Sequence, residues 1–272
     1  MGSQVARAAG DGSGASIQSV ERAFEVLEVM AGQGGALTIS EIAAATGRPP
    51  PSVHRLVRTL VLLGYVRQDA SRKYALAPGL IRLGEGAARQ YGTWAKPVLA
   101  GLVDAVGESA NMAILEGSHA LYVAQMAGRH AMRMFTEVGR RVPLHSTGVG
   151  KALLSQLSDD EARRALKLAG MPAITDHTIS DLEVLIQELA AVRALGYATD
   201  EGEQEVGVSC VAVPVPGAPA LTAISFSAPS PRMTPDVIRR AAAALRSAAQ
   251  TLADRSTAAH AAVRTAADGA RT

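Results

Sequence analysis

The segment spanning residues 38–76 constrains the fold more than any other part of this chain. It contains a short helical stretch, a break made of Gly47 and the prolines at 49–51, a second helical stretch with basic residues, and two short apolar runs around a polar turn. This order is typical of a winged helix-turn-helix, a module whose second helix enters the major groove of DNA. The sequence therefore predicts a DNA-binding domain in the first third of the chain.

The boundaries of the two central helices can be predicted from local signals. Thr38 and Glu41 match the T-x-x-E capping box, so the first of these helices should begin just after Thr38. Gly47 should end it, and the prolines at 49–51 should prevent its continuation. The next helix is expected to begin at Ser52 or a neighbouring residue. Its buried stripe is predicted from helical spacing to be Val53, Leu56, Val57 and Leu60.

Elements on both sides complete the predicted domain. The runs at 65–68 and 74–76 should pair as a hairpin around the turn at 69–73. A preceding helix over 16–32 is predicted from apolar residues at helical spacing, namely Val20, Phe24, Leu27 and then Val29 or Met30.

Positive charge is concentrated in this domain. The whole chain has a formal net charge of +2, but residues 48–73 hold six basic residues and one acidic residue, a local net charge of +5. Arg55 and Arg58 are three positions apart and should share a helix face away from the apolar stripe. Arginine can bind guanine through two hydrogen bonds, whereas serine discriminates less between bases. The alternative is that these residues form solvated faces of a small helical domain. The candidate DNA-binding residues are Arg22, Arg48, Ser52, His54, Arg55, Arg58, Arg72 and Lys73.

The rest of the chain mixes strands and helices without regular alternation. Strands are predicted at 113–115, 119–125, 131–135, 210–215 and 221–227. Helices should follow capping boxes at 158–161 and 180–183, and a long Ala-rich helix should open at Thr234 and Pro235. We therefore expect an α+β class. The predicted divisions are a disordered tail over 1–15, the winged helix-turn-helix over 16–77, a linker helix over 78–92, a second domain over 93–255 and an Ala-rich tail over 256–272.

Several classes of protein are disfavoured. There is one cysteine, Cys210, so no disulfide can form within the chain, and no apolar run approaches the ~20 residues of a membrane span. We therefore expect a cytoplasmic protein with no membrane partner. Histidines occur singly, which predicts no metal site and no cofactor. Cys210 with His145 or His119 could imitate a thiol nucleophile and its base, but nothing in the sequence brings them together.

A second candidate site lies at the motif HSTGVGKALL, residues 145–154. Ser146 or Thr147 can cap a helix there, and the small residues Gly148 and Gly150 would let a ligand approach the backbone. Free N–H groups in the first turn favour an anion such as a carboxylate. The alternative is that the glycines only allow close packing of the helix on a strand.

Longer motifs carry a resemblance to a known family. They are SIQSVERAFEVLEVM, LTISEIAAATG followed by SVHRLVRTLVLLGYV, RKYAL, PLHSTGVGKALL, LGYATDEGEQEVGVSCVAVPV and AISFSAP. Together they resemble the IclR family of bacterial transcriptional regulators over most of residues 16–255. The chain departs from the family pattern at Pro50 and Pro51, near the position where members often carry a cation. It also departs at Gly148, where Ala is usual.

The resemblance implies a GAF-like effector-binding domain with an antiparallel sheet, joined to the DNA-binding domain by a linker helix. It also implies dimers that commonly pair into tetramers. Carried over by motif position, the effector-binding residues would be Gly148, Val149, Asp200, Cys210, Ser225 and Ser227, with Met134, Val142 and Val208 as apolar wall. For two of them another role is open, because Cys210 could be a small buried hydrophobe and Asp200 could cap a turn.

The resulting hypothesis is a ligand-responsive regulator that is not an enzyme. We expect a repressor that binds double-stranded operator DNA and a small organic or aromatic acid. Two alternatives stay open at this stage. One is an activator of the same architecture, and the other is a small-molecule-binding enzyme whose basic domain contacts another protein.

Overall fold

The computed structural model describes residues 17–131, 136–218 and 220–269, with side chains described except at 89–94 and 255–269. The chain divides into two compact units, one ending at Arg89 and the other beginning at Gln90. Each unit is described separately below.

The first unit is a winged helix-turn-helix, as predicted. Its elements are α1 (Gln18–Gln33), α2 (Ile39–Thr46), α3 (Pro50–Leu62), β1 (Val66–Gln68) and β2 (Tyr74–Leu76). The two strands pair antiparallel with Val66 opposite Leu76, which confirms the predicted hairpin. Packing of the three helices buries Val26, Met30, Ile42, Val53 and Val57 in one core.

The apolar residues of α1 do not all face this core. Val26, Leu27 and Met30 are buried, but Val20 is 50% exposed and Phe24 is 62% exposed. Helical spacing correctly indicated the helix, yet it did not show that part of the apolar surface is left uncovered within the unit.

The turn between α2 and α3 differs from expectation in one detail. The capping box at Thr38 and Glu41 is present, and Gly47 ends α2 in a left-handed conformation. Pro50 and Pro51, however, lie inside the first turn of α3. Proline is tolerated there because the first N–H groups of a helix have no intrahelical acceptor. The prolines therefore begin the helix two positions before Ser52 and do not act only as a break.

A long helix leads into the second unit. Helix α4 (Gly79–Val106) extends well beyond the linker helix predicted at 78–92. The remaining helices are α5 (Gly148–Leu154), α6 (Asp159–Ala169), α7 (Leu182–Leu195) and α8 (Pro235–Gly269), with a short 3-10 turn at Ser230–Arg232. Helix α8 opens after Thr234, as predicted, and continues through the described part of the Ala-rich segment.

The second unit is built on a six-stranded antiparallel sheet, which confirms the α+β class. Its strands are β3 (Ser109–Glu116), β4 (His119–Met126), β5 (Arg141–Pro143), β6 (Ala198–Glu201), β7 (Val208–Val215) and β8 (Thr222–Pro229). They are arranged in the order β5-β4-β3-β8-β7-β6. The short strands β5 and β6 were not anticipated. The strand predicted at 131–135 lies almost entirely outside the described residues.

The two faces of the sheet have separate cores. One face packs against α8 and the second half of α4 through residues such as Leu99, Phe226 and Leu245. The other face packs against α5, α6 and α7 through residues such as Leu153 and Leu189. Alternation along β8 assigns Phe226 to the first face and Ser225 and Ser227 to the second, as expected for a strand.

Helix caps in this unit were mostly predictable. Ser158 and Glu161 form the expected capping box at the start of α6. The third predicted box, at 180–183, is wrong because Asp181 is the N-cap of α7. The Asp181 carboxylate accepts hydrogen bonds from the amides of Glu183 and Val184 at 2.8 and 3.0 Å. The Asp181 carboxylate caps the helix because it is a stronger hydrogen-bond acceptor than the hydroxyl of the adjacent Ser180.

Candidate DNA-reading surface and effector cavity

Helix α3 presents a basic face to solvent. His54, Arg55 and Arg58 are exposed, whereas Val53 and Val57 are buried. At 100° per residue, Arg55 and Arg58 lie about 60° apart around the axis, on the side opposite the buried stripe. Both guanidinium groups are therefore available to a ligand that lies along this helix.

Other basic residues of the unit have different environments. In the wing turn, Arg72 is exposed and Lys73 is half-buried, and the Asp69 carboxylate accepts hydrogen bonds from the amides of Ser71 and Lys73 at 2.9 and 3.0 Å. These bonds hold the turn in a defined shape. Ser52 is half-buried near the start of α3.

Arg48 is engaged inside the unit. Its Nε donates to Glu25 Oε2 at 2.9 Å, and its Nη2 contacts the same carboxylate oxygen. This ion pair ties the turn after α2 to α1. Because Glu25 already compensates its charge, Arg48 is less available to DNA phosphates than the exposed Arg55 and Arg58.

An apolar groove runs along one side of the same unit. It has a volume of about 540 Å³ and is lined by α1, α3 and the start of α4, including Val20, Phe24, Leu63 and Leu83. Arg22, half-buried, and the exposed Arg55 also line it. The exposed apolar residues of α1 therefore belong to one continuous surface feature.

The second unit contains a small polar cavity on the sheet face that carries α5. Its volume is about 80 Å³. A site for one water needs ~10–15 Å³ on this scale, so the cavity can hold several waters or one small molecule. Its lining residues are Tyr122, Thr136, Arg140, Val142, Thr147, Gly148, Asp200, Gln204, Glu205, Val208, Cys210 and Ser227.

Most of the predicted effector-binding residues meet at this cavity. Strand pairing places Asp200 opposite Cys210 and Cys210 opposite Ser227, so three neighbouring strands bring these side chains together. The two predicted valines, Val142 and Val208, also line it. Met134 lies outside the described residues.

Two predicted residues lie behind the cavity wall. The Val149 side chain is fully buried in the hydrophobic core, so only its backbone could serve a ligand. Ser225 is also fully buried, and its hydroxyl makes no hydrogen bond of normal geometry. It lies two residues before the cavity residue Ser227, on the same face of β8.

The glycines at the start of α5 serve close packing. A Cβ on Gly150 would sit 2.3 Å from the carbonyl oxygen of Leu144, and one on Gly148 would sit 2.9 Å from Cys210 Sγ. The N-cap is Thr147, whose hydroxyl accepts a hydrogen bond from the Gly150 amide at 3.1 Å and donates to the Pro143 carbonyl at 2.7 Å. Of the two explanations for these glycines, the structure supports helix–strand packing.

Burial changes the ionisation of several cavity groups. Burial, opposed by a hydrogen bond from the Glu203 amide and assisted by the nearby charge of Glu203, raises the pKa of Asp200 to about 7. Burial, with the neighbouring Asp200, raises the pKa of Cys210 to about 12. The pKa of Tyr122 is also raised, chiefly by burial. Cys210 is therefore a neutral thiol at neutral pH, the opposite of what a nucleophile needs.

A buried ion pair supports the loop that carries Gln204 and Glu205. Lys151 of α5 is 1% exposed, and its Nζ donates to Glu203 Oε1 at 2.5 Å and to the carbonyl oxygen of Thr199 at 3.1 Å. Asp200 Oδ1 accepts a hydrogen bond from the Glu203 amide at 2.8 Å. The side chain of Glu203 thus joins the loop after β6 to α5, and its amide joins the loop back to Asp200 of β6.

Several residues at or near the cavity were missed by sequence reasoning. Asn111 lies opposite Ser225 in the sheet, is fully buried, and its Oδ1 has no hydrogen-bond partner among the described residues. Arg140 lies two residues before Val142, but the sequence did not predict the strand β5 that makes this spacing meaningful. The others carried no signal in the sequence beyond their polarity, namely Tyr122, Thr136, Gln204 and Glu205.

Two further properties concern the described residues only. None of the helices in this part of the chain is both long and apolar enough to cross a membrane. No group of three or more His, Cys, Asp or Glu side chains in residues 17–131, 136–218 and 220–269 is arranged to bind a metal ion.

The chain matches known proteins in both units. Residues 19–70 match the IclR helix-turn-helix domain, and residues 91–254 match the C-terminal domain of IclR bacterial transcriptional regulators. The HTH-type transcriptional regulator BhcR of Paracoccus denitrificans is 34% identical over 223 residues, which cover 80% of each chain. The transcriptional repressor IclR of Escherichia coli is 32% identical over 227 residues, covering 81% of this chain and 83% of that protein.

Solved structures give the same result. The IclR transcriptional regulator of Alicyclobacillus acidocaldarius aligns with a TM-score of 0.79 and 28% identity, covering 89% of this chain and 99% of that one. An IclR homologue of Microbacterium hydrocarbonoxydans, crystallised with 4-hydroxybenzoate, aligns with a TM-score of 0.75 and 25% identity, covering 89% and 100%. The chain therefore belongs to the IclR family of transcriptional regulators, which bind DNA through the N-terminal domain and carry a C-terminal effector domain.

Proposed function

We propose that this protein is a transcriptional repressor whose release from operator DNA is controlled by a small organic or aromatic acid. The observation that carries the proposal is the presence of an exposed basic recognition helix in one unit and a cavity lined by polar residues in the other. Two relatives, IclR and AllR of Escherichia coli, are named repressors, which supports this direction of regulation.

The DNA-binding role is assigned to residues 16–77. Arg55 and Arg58 on α3 are the expected contacts to base edges or phosphates, with Ser52 and His54 near the helix start. Arg72 and Lys73 in the wing would contact phosphates or the minor groove, and Arg22 lies near the α3 side of α1. Each exposed cation adds an electrostatic term that weakens as salt rises.

The effector-binding role is assigned to residues 93–255. The acid class is supported by the relative crystallised with 4-hydroxybenzoate and by the polar donors around the cavity, such as Tyr122 and Ser227. The effector must bind one arrangement of the DNA-binding units more tightly than another, since equal affinity for both would shift nothing.

A homodimer, with dimers pairing into tetramers, is part of the proposal. A single helix-turn-helix makes few base contacts, and a dimer spanning two half-sites is the usual solution. The exposed Phe24 and Leu63 along the groove of the first unit favour pairing of two such units, because a contiguous exposed apolar patch marks an interaction surface.

A gel-shift titration with the DNA upstream of the protein's own gene tests the proposal. We expect salt-sensitive, sequence-selective binding, and we expect Arg55→Ala to weaken it by about 10-fold or more because one charge-assisted contact is lost. Arg164→Ala, which removes an exposed arginine from α6, is the matched control and should bind as the wild type does.

The result also separates this function from its alternatives. Absence of selective DNA binding would refute the regulator, and equal affinity of the Arg55 variant would remove Arg55 from the contacts. A reporter fused to the same DNA should be derepressed when the gene is deleted. A loss of expression in that strain would indicate an activator of the same architecture.

A further inference from the structure

We propose that Arg140 binds the anionic group of the effector at the mouth of the cavity. This inference rests on the proposed function, because it concerns how the effector domain recognises its ligand. It commits the effector to a molecule with a carboxylate at one end, held by a guanidinium group, and with its neutral part directed toward the sheet.

The backbone around Arg140 is held firmly against the sheet. The amide of Tyr122 donates to the carbonyl of Arg140 at 3.0 Å, and the amide of Gly139 donates to the carbonyl of Tyr122 at 2.7 Å. These bonds continue the pairing in which Leu121 lies opposite Arg141 and Ala120 opposite Val142. Arg140 therefore lies directly before the edge strand β5, and these backbone hydrogen bonds hold it beside β4.

Strand alternation separates the two adjacent arginines. Val142 lines the cavity, so Arg140, two positions earlier, shares that face and also lines it. Arg141 points the opposite way and pairs with Glu116, its Nη2 lying 2.8 Å from Oε2. One arginine is thus used in a surface ion pair and the other is presented to the cavity.

The charge of Arg140 is available to a ligand. Arg140 is the one basic residue among the described residues that line the cavity, and its guanidinium group forms no ion pair within the described part of the chain. Its neighbours include the acidic Asp200 and Glu205. A carboxylate bound beside these two residues needs a cation to offset their repulsion, and the guanidinium fork matches a carboxylate through two parallel hydrogen bonds.

The start of α5 is a weaker anion partner in this structure. The Gly148 amide contacts the thiol of Cys210, and the Gly150 amide donates to the Thr147 hydroxyl. Both donors are already used. The hydroxyls of Tyr122 and Thr136 and the NH2 group of Gln204, whose oxygen already accepts from Ser146, face the neutral part of the ligand.

The experiment compares acids with their uncharged amides on the full-length protein. The probes are 4-hydroxybenzoate, benzoate and lactate, each paired with its primary amide, and thermal shift identifies those that stabilise the wild type. Dissociation constants are then measured by calorimetry for the wild type, Arg140→Ala, Arg140→Lys and Arg141→Ala. Melting temperatures without ligand check that every variant is folded.

We expect at least one acid to bind while its amide does not, and we expect Arg140→Ala to raise the dissociation constant of that acid about 10- to 100-fold. Arg140→Lys should recover part of the affinity because it keeps the charge but loses the planar fork. Arg141→Ala should match the wild type.

Two outcomes would overturn the inference in different ways. If the wild type binds an acid and Arg140→Ala binds it equally well, or if the amide binds as tightly as the acid, Arg140 is not the anion contact and the proposed function stands. If no acid stabilises the wild type, the acid-responsive function itself fails, and the inference about Arg140 fails with it.

Discussion

At the scale of single residues, Asp200 shows how the fold changes the chemistry of a side chain. The residue is 4% exposed, and burial raises its pKa from an ordinary value to about 7. Its carboxyl group is therefore divided between the protonated and ionised forms at neutral pH. A protonated Asp200 can donate a hydrogen bond to an acid ligand, whereas an ionised one repels it.

The same shift predicts a pH dependence of stability. Because the folded-state pKa is raised above the unfolded value of about 4, the folded protein binds more protons than the unfolded chain between about pH 4 and pH 7. The contribution of Asp200 to stability therefore falls as pH rises through this window. The limit of the loss is roughly 4 kcal/mol for a shift of about three pKa units.

Asp200→Asn should remove this dependence. We expect the unfolding free energy of the ligand-free wild type, measured by urea titration at pH 5, 6, 7 and 8, to decrease relative to that of the variant as pH rises. A constant difference between the two proteins across this range would show that Asp200 ionises at its ordinary pKa. Asp160→Asn, on the exposed start of α6, provides the control.

At the scale of elements, the buried Lys151–Glu203 pair joins α5 to the loop after β6. Both side chains are nearly inaccessible to solvent, and Glu188 lies 3.6 Å from the same ammonium group. Breaking a buried pair on one side leaves an uncompensated charge, which costs about 3–5 kcal/mol. The pair thereby holds the loop that contributes Gln204 and Glu205 to the cavity.

Single and double substitutions test whether Lys151 and Glu203 stabilise the second unit as a pair. Lys151→Met should lower the unfolding free energy of the second unit by about 3 kcal/mol or more, because Glu203 is left buried without its partner. Adding Glu203→Met should restore much of that loss, since a buried ion pair replaced by apolar groups is often nearly neutral. If the double variant loses more unfolding free energy than Lys151→Met alone, the two residues do not act as a unit. Urea unfolding followed by circular dichroism provides the measurement.

At the scale of the whole molecule, the proposed function assigns the uncovered part of α1 to assembly. Phe24 and Val20 are apolar, exposed and aligned along a groove that also includes Leu63 and Leu83. A monomeric unit gains nothing from such a surface, whereas two DNA-binding units that must span paired half-sites gain a contact. This assignment follows from the proposed function.

Phe24→Ser should therefore impair pairing more than folding. We expect weaker and less cooperative operator binding in a gel-shift titration, together with a change in thermal stability equivalent to about 0.5 kcal/mol or less, as is usual for an exposed site. Leu168→Ser, at a comparably exposed leucine of α6, is the matched control. Unchanged cooperativity in the Phe24 variant would place the dimer contact elsewhere.

Local signals explain the parts of the fold that could be predicted. Capping boxes at Thr38 and Ser158, and Thr234 before Pro235, specify helix starts through hydrogen bonds or fixed dihedral angles within a few residues. Where two acceptors are adjacent, as at Ser180 and Asp181, the capping-box pattern does not show which one caps the helix. Pairing between Arg48 and Glu25 was not predictable, since it joins residues that only packing brings together.

The sequence by itself determined the family, the winged helix-turn-helix, the basic face of α3 and the alternation that turns Ser225 and Ser227 to one side of a strand. Each of these depends on residues close together in the chain. Only the tertiary structure decided that Val149 and Ser225 lie behind the cavity wall, that Arg140 lines it, and that Asp200 is buried enough for its pKa to reach about 7. Burial and charge pairing depend on contacts between distant segments, and a periodic pattern shows which residues share a face but not what covers that face.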